Sequence, residues 1–239
     1  MKIAILGGTG NIGKGFALRL SYKYDVTIGS RNIEKAKASA AEYNEILEKY
    51  GSDDRIEGTD NKTAAQNADI IFLAIRYENI PSVIELITPI LDKQIIVSVV
   101  VPMARDRCYI NPDSSTLMID VSDKDYNANY FCYSTPKAGS AAQEIAMLLP
   151  EGIELVSAFH NVPAHTLADL DKELDYDIGV CGNSMYSKNI VFELARDIPN
   201  LRPLDVGPIE TSSMVESLTP LVINIASRNK LKDLGIKFV

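Results

Sequence analysis

The chain has 239 residues, 46% of them hydrophobic, with 24 basic against 32 acidic side chains, a net charge of −8 and a pI near 4.9. That length suits one large α/β domain, or a nucleotide domain with a small appendage, and the acidic balance argues against nonspecific nucleic-acid binding. No apolar run is long enough to span a membrane, Met1 leads straight into the first strand with no signal peptide before it, and the three cysteines (Cys108, Cys132, Cys181) contain no C-x-x-C pair. A cytoplasmic protein with free thiols, without disulfide or metal frameworks, is the expectation.

Residues 2–6 form a short apolar run with no breaker, which predicts a buried parallel strand. Gly8, Gly10 and Gly13 follow directly with the spacing G-x-G-x-x-G. Behind them Ile12, Phe16, Ala17 and Leu20 recur at helical spacing, so the loop opens a helix. In this setting Gly8 serves the tight turn, Gly10 lets the backbone approach a pyrophosphate, and Gly13 lets helix and strand pack closely. The helix N-terminus offers unpaired N–H groups and a positive dipole end to the phosphates. A dinucleotide site is therefore expected at the start of the chain.

Residues 23–29 read as the second strand, and it ends in Ser30 and Arg31. An NAD-binding fold carries a carboxylate near this tip to hold the ribose 2′-hydroxyl. Here a hydroxyl and a guanidinium stand in its place, with Lys35 one turn into the next helix. Arg suits bidentate recognition of a 2′-phosphate, so NADP is chosen over NAD. The alternative for Arg31 is a solvated residue at a strand end.

Asn32 should cap a long helix to about residue 50, broken by Gly51 and its polar neighbours. Residues 55–58 can form a short third strand and 61–68 a small helix. Residues 69–75 are an apolar run of strand length whose end, at Ile75, marks the ligand crevice of such folds. Arg76 and Tyr77 follow, then a helix over 78–91 with Pro81 near its start, then a buried strand over 94–101. This alternation predicts an α/β, Rossmann-type, doubly wound parallel sheet.

Residues 103–138 break the rhythm and read as an insertion near the crevice, with 116–121 able to form a strand inside it. A helix over 140–149 and a sixth strand over 154–160 follow, delivering His160, Asn161 and Pro163 to the crevice end. Strands at 177–182 and 201–206, around a helix over 184–197, make a small C-terminal α/β extension. The last helix starts near Thr211 and should kink at Pro220. Its stripe of Met214, Leu218, Leu221, Val222 and Ile225 is either ordinary core or a face packed on a second subunit.

The chemistry on display is sparse. His160 and His165 share no helix face and have no carboxylate cluster, so no metal site is expected. The acid/base inventory at the crevice is His160, Tyr77 and Arg76. His160 is either hydrogen-bonded to backbone or in contact with a second ligand beside the nicotinamide. The 79 residues after it are too few for a large helical substrate domain. A reaction that needs orientation and little proton chemistry fits, and hydride exchange between two cofactors is one.

Several pieces together carry a resemblance. They are the loop from Gly7 to Gly15, Gly29-Ser-Arg31, Ser157-Ala-Phe-His160 with Pro163-Ala164, Leu201-Arg-Pro-Leu-Asp205 with Gly207-Pro208, Val215 to Leu221, and the closing Leu234 to Phe238. The chain resembles, over nearly its whole length, the NADPH-dependent reductases of coenzyme F-420, the 8-hydroxy-5-deazaflavin:NADP oxidoreductases. The resemblance implies reversible hydride transfer between carbon 5 of the deazaflavin and carbon 4 of the nicotinamide, with both cofactors as substrates, in a cytoplasmic homodimer. It implies that Thr9, Gly10, Asn11, Ile12, Ser30 and Arg31 hold NADP, and that His160, Pro208 and Ile209 line the deazaflavin cavity. Residues 1–160 would then be the NADP-binding unit, and 161–239 a small unit lining the deazaflavin cleft and the dimer contact. The chain departs from the family pattern with Ile75-Arg76-Tyr77 where Pro-Trp is usual, and Asn161-Val162 where Thr-Ile is usual. Other classes that share the nucleotide half are a flavin- or metal-coupled NADPH reductase and a non-enzymatic NADP-sensing regulator.

Charge-assisted hydrogen bonds contribute roughly 1.5–3 kcal/mol each. Arg31→Ala should therefore weaken NADP binding by about tenfold to a hundredfold while NAD binding hardly changes, as read by equilibrium titration of both nucleotides. Equal losses for the two would make Arg31 a structural residue.

Overall fold

The computed structural model describes residues 1–105 and 130–239; the candidate strand at 116–121 lies outside them. Strands β1 (Lys2–Leu6), β2 (Asp25–Ser30), β3 (Glu57–Asp60), β4 (Ile70–Leu73) and β5 (Ile95–Ser98) alternate with helices α1 (Asn11–Leu20), α2 (Ile33–Lys49), α3 (Asn61–Gln66) and α4 (Ile80–Ile87). A short antiparallel hairpin, β6 (Met103–Arg105) with β7 (Phe131–Tyr133), begins and ends the insertion. Then come α5 (Ala141–Leu148), β8 (Glu154–Ser157), α6 (Ala164–Ala168), β9 (Tyr176–Gly182), α7 (Met185–Asp197), β10 (Leu201–Gly207), α8 (Ser212–Glu216) and α9 (Leu218–Asn229).

Eight strands form one sheet in the order β10-β9-β8-β5-β4-β1-β2-β3, with β10 and β3 at its margins. Alternation along the strands divides the core. Ile3, Ile5, Ile70 and Phe72 pack with α1, α2 and α7 on one face. Ala4, Leu6, Ile71 and Leu73 pack with α3, α4 and α5 on the other. Strands buried on both faces explain why they read as unbroken apolar runs. Helix starts follow local capping: Asn32, Asp60, Ser140 and Ser184 each accept the N–H three residues on.

The sheet is parallel throughout except where β9 lies antiparallel to β8. After β8 the chain does not cross back to the amino edge. It stays at the carboxyl edge through α6, where Gly15 of α1 lets Leu167 approach, and β9 therefore starts from that edge. β10 runs parallel to β9, so the expected parallel order fails for these two strands, although they join the same sheet. The helix α6 was not anticipated from the sequence.

The other differences are local. The sixth strand ends at Ser157 instead of 160, because Phe159 turns left-handed with φ 68°. The last helix breaks at Ser217, between α8 and α9, rather than kinking at Pro220. Pro220 falls in the first turn of α9, where its missing N–H has no helical partner to lose. Cys181 is a free, buried thiol as expected, whereas Cys132 is disulfide-bonded. No helix among the described residues is long and apolar enough to cross a membrane.

Candidate active site

The glycine loop is built by close packing. Gly7, rather than Gly8, takes the left-handed turn, with φ 80°. Gly8 is required for a different reason: a Cβ there would lie 2.6 Å from Cβ of Ile28. The N–H groups of Gly7 and Gly8 both donate to the Gly29 carbonyl, at 3.0 and 3.2 Å, which ties the loop to β2. A Cβ on Gly13 would lie 2.6 Å from Cα of Gly8, so helix and loop touch backbone to backbone. Around Gly10 only the Gly7 carbonyl comes near, at 3.4 Å, and this side of the loop is open.

Gly10 is also the N-cap of α1, and no side chain caps the helix. The first-turn N–H groups, from Asn11 and Ile12 onward, are thus left for a ligand, with Thr9 half-buried beside them. This is the donor set a pyrophosphate requires, and the residues fit it. At the tip of β2, Ser30 is half-buried; Arg31, just past it, and Lys35, in the first turn of α2, are exposed. The Asp60 carboxylate stands opposite Ser30 on β3 but accepts from the N–H and hydroxyl of Thr63 at 2.9 and 2.7 Å. Those bonds hold it below the usual carboxylate range and commit it to capping α3.

At the carboxyl edge a cleft of about 970 Å³ opens beside this loop. Ile12 and Ile75 line it on the nucleotide side, Val99 and Val101 below, and Phe159 to His165 on the far side. Met103, Arg105 and Phe131 of the hairpin, Thr219, Val222 and Ile223 of α9, and Asp233 and Leu234 complete the wall. The hairpin is fixed to α9 by Asn224, whose side-chain amide donates to the Phe131 carbonyl and accepts its N–H, both at 2.7 Å.

His160 lies on the cleft, 5% exposed, and neither ring nitrogen has a hydrogen-bond partner among the described residues. Its backbone carbonyl accepts from the Thr219 hydroxyl. The ring is therefore not tied to backbone, and burial pushes its pKa down to about 3. Tyr77 is committed elsewhere: its hydroxyl donates to Glu144 at 2.6 Å, and burial raises its pKa. Arg76 is exposed at the cleft mouth.

Two expected residues are not brought to this cleft. Pro208 and Ile209 follow β10, which runs antiparallel to β8 and ends with Gly207 level with Cys181 and, through it, Ser157. There Ile209 packs in the α4–α5 layer and donates its N–H to Asn183 at 2.8 Å. Conversely, Glu216 was not singled out from the sequence. It is fully buried and accepts from the N–H groups of Ala141 and Ala142, at 2.9 and 3.0 Å, and from the Tyr133 hydroxyl at 2.7 Å. Burial raises its pKa despite those donors. Nothing in the local pattern separates such a glutamate from a solvated one.

A neutral buried imidazole makes stability depend on pH. An unfolded histidine titrates near 6.5, so the unfolded chain takes up a proton that folded His160 refuses until about pH 3. Stability should be full above pH ~6.5 and fall below it, by at most ~1.4 kcal/mol per pH unit. Urea unfolding across that range tests this, and His160→Gln should flatten the slope.

The chain is similar to known proteins over nearly its whole length. Residues 2–102 match the family described as NADP oxidoreductase, coenzyme F420-dependent. The F420-dependent NADP reductase of Methanocaldococcus jannaschii is 38% identical over 237 residues, 99% of this chain and 97% of that protein. That of Methanothermobacter marburgensis is 31% identical over 239 residues, again 99% and 97%. A crystal structure described as a putative F420-dependent NADP reductase from Arthrobacter superposes with a TM-score of 0.75 at 22% identity, over 100% of this chain and 99% of that one, and so shares the fold. Matched at 38% and 31% identity over nearly its full length by these reductases, the chain belongs to the F420-dependent NADP reductase family.

Proposed function

We propose that NADP and coenzyme F-420 meet in this cleft as substrates and that the chain catalyses reversible hydride transfer between them. The observation that carries the reading is a mostly apolar cleft, bordered by a neutral, unpartnered imidazole, that opens directly beside an uncapped glycine-rich helix terminus. The hydride passes between carbon 4 of the nicotinamide and carbon 5 of the deazaflavin. Those two rings supply the chemistry, and the protein supplies binding and orientation.

The backbone from Gly8 to Gly13, with Thr9, Asn11 and Ile12, holds the pyrophosphate. Ser30, Arg31 and Lys35 hold the 2′-phosphate. Ile12 and Ile75 flank the nicotinamide, and His160 meets the deazaflavin as a neutral hydrogen-bonding group. Residues 161–239 contribute the opposite wall. Of the stripe at the end of the chain, Met214, Leu221 and Ile225 are exposed, whereas Leu218 and Val222 are half-buried. We assign that face to a homodimer contact, and place the protein in the cytoplasm with its nicotinamide pool.

The direct test is whether purified protein bleaches the visible absorbance of oxidised coenzyme F-420 on addition of NADPH; nucleotide binding without bleaching would overturn the reading. His160→Ala should slow single-turnover transfer by about tenfold or less with both substrates saturating, the scale of one neutral hydrogen bond. A loss on the order of a thousandfold with binding intact would show that His160 handles a proton. For assembly, sedimentation should find a dimer at micromolar concentration that Leu221→Asp dissociates. A monomeric parent chain would remove the dimer.

A further inference from the structure

β9 extends beyond β8. Only Cys181 and Gly182 pair with Ser157 and Val156, so the first half of β9 has no strand on that side. Backbone groups exposed there need other partners. At Asp177 they come from two places. Its N–H donates to the Ile236 carbonyl at 2.8 Å, and its carbonyl accepts from the Asn161 side-chain amide at 2.8 Å. The C-terminal segment and a cleft residue together complete the edge of β9.

The Asp177 carboxylate secures that arrangement. It is 1% exposed and accepts both arms of the Arg202 fork, Nε at 2.7 Å and Nη2 at 2.6 Å. It also accepts the Phe238 N–H at 2.6 Å, while Arg202 Nη2 donates to the Phe238 carbonyl at 2.6 Å. Two side chains therefore hold both backbone groups of Phe238. Nearer the cleft, the segment is pressed on Tyr176. A Cβ on Gly235 would lie 2.1 Å from the ring, and the Tyr176 hydroxyl donates to the Asp233 carbonyl at 3.0 Å. Asp233 and Leu234, held in this way, line the cleft together with Asn161 and His160.

We infer that Asp177 and Arg202 are positioning residues for the deazaflavin side of the cleft, seating residues 233–238 as its wall and orienting Asn161 beside His160. Neither touches the nucleotide loop, so their effect falls on one substrate. The inference rests on the proposed reaction. It adds that the last residues of the chain are part of the substrate site, clipped in place from behind by one bidentate ion pair.

The test is Arg202→Gln in the full chain, with Arg202→Lys as the conservative variant that keeps charge but loses the fork. Arg202→Gln should raise the KM for oxidised coenzyme F-420 about tenfold, with kcat changed by less than about twofold and NADPH affinity unchanged. Arg202→Lys should recover part of that loss, and hydrogen exchange at the Phe238 amide should quicken in both. If Arg202→Gln does not fold, termination after Lys232 removes the wall itself and should raise the same KM at least as much. Quickened exchange with an unchanged KM overturns the positioning role. So does a parallel loss of NADPH affinity and thermal stability, which would mark a purely structural pair. A parent chain that never reduces the deazaflavin overturns the proposed reaction, a result distinct from either.

Discussion

The site depends on Phe159 holding a left-handed backbone. An aromatic residue at φ 68° costs roughly 1–2 kcal/mol in local conformation. Full burial of the ring against Phe16 and Phe72, with centroids 5.1 and 5.9 Å away, offsets that cost. The three rings come from the helix behind the glycine loop, the strand that ends at the crevice, and the turn after β8. One aromatic cluster thereby sets the distance between the nucleotide loop and the opposite wall. It also ends β8 early and turns His160 to Pro163 across the carboxyl edge, where a strand continued in register would have carried them past it.

In that turn the His160 ring has no hydrogen-bond partner among the described residues, whereas several other polar side chains pair with one another. Tyr77 is bonded to Glu144, Tyr133 to Glu216, and Asn224 to Phe131. Glu216 also occupies the N-terminus of α5, which withdraws that helix end from ligand binding. The uncapped terminus of α1 is treated in the opposite way. In a protein of net charge −8, the uncapped terminus of α1 and the exposed Arg31 and Lys35 leave backbone donors and local positive charge on this side, while the adjoining cleft is mostly apolar. This division suits a reaction in which orientation supplies most of the catalysis.

The first hundred residues were legible because their signals are local. Strand, glycine spacing, Asn32 cap and the Ser30–Arg31 tip each specify geometry within a few residues. Which glycine takes positive φ was not legible, since both Gly7 and Gly8 are compatible with the turn, and the contact with Ile28 that decides Gly8 is long-range. The direction of β9 was hidden for a related reason. A buried strand has the same composition whether it runs parallel or antiparallel, and only the path through α6 decides it. Pro208 and Ile209, expected at the deazaflavin cavity from the resemblance alone, are not among the residues that line this cleft. His160 lies on the cleft although its strand ends earlier than expected, because either path leaves it at the carboxyl edge.

The sheet margins carry a consequence for how copies of this chain can meet. β10, at one margin, has Pro203 within it, with no N–H to offer, and carries the charged Arg202 and Asp205 close by. β3, at the other, is only four residues long. Proline, charge and brevity are the devices that keep an exposed strand from templating a foreign one. Eight strands are thus kept from growing into a continuous sheet across molecules, and association is left to helical surfaces, which can separate again without unzipping the fold.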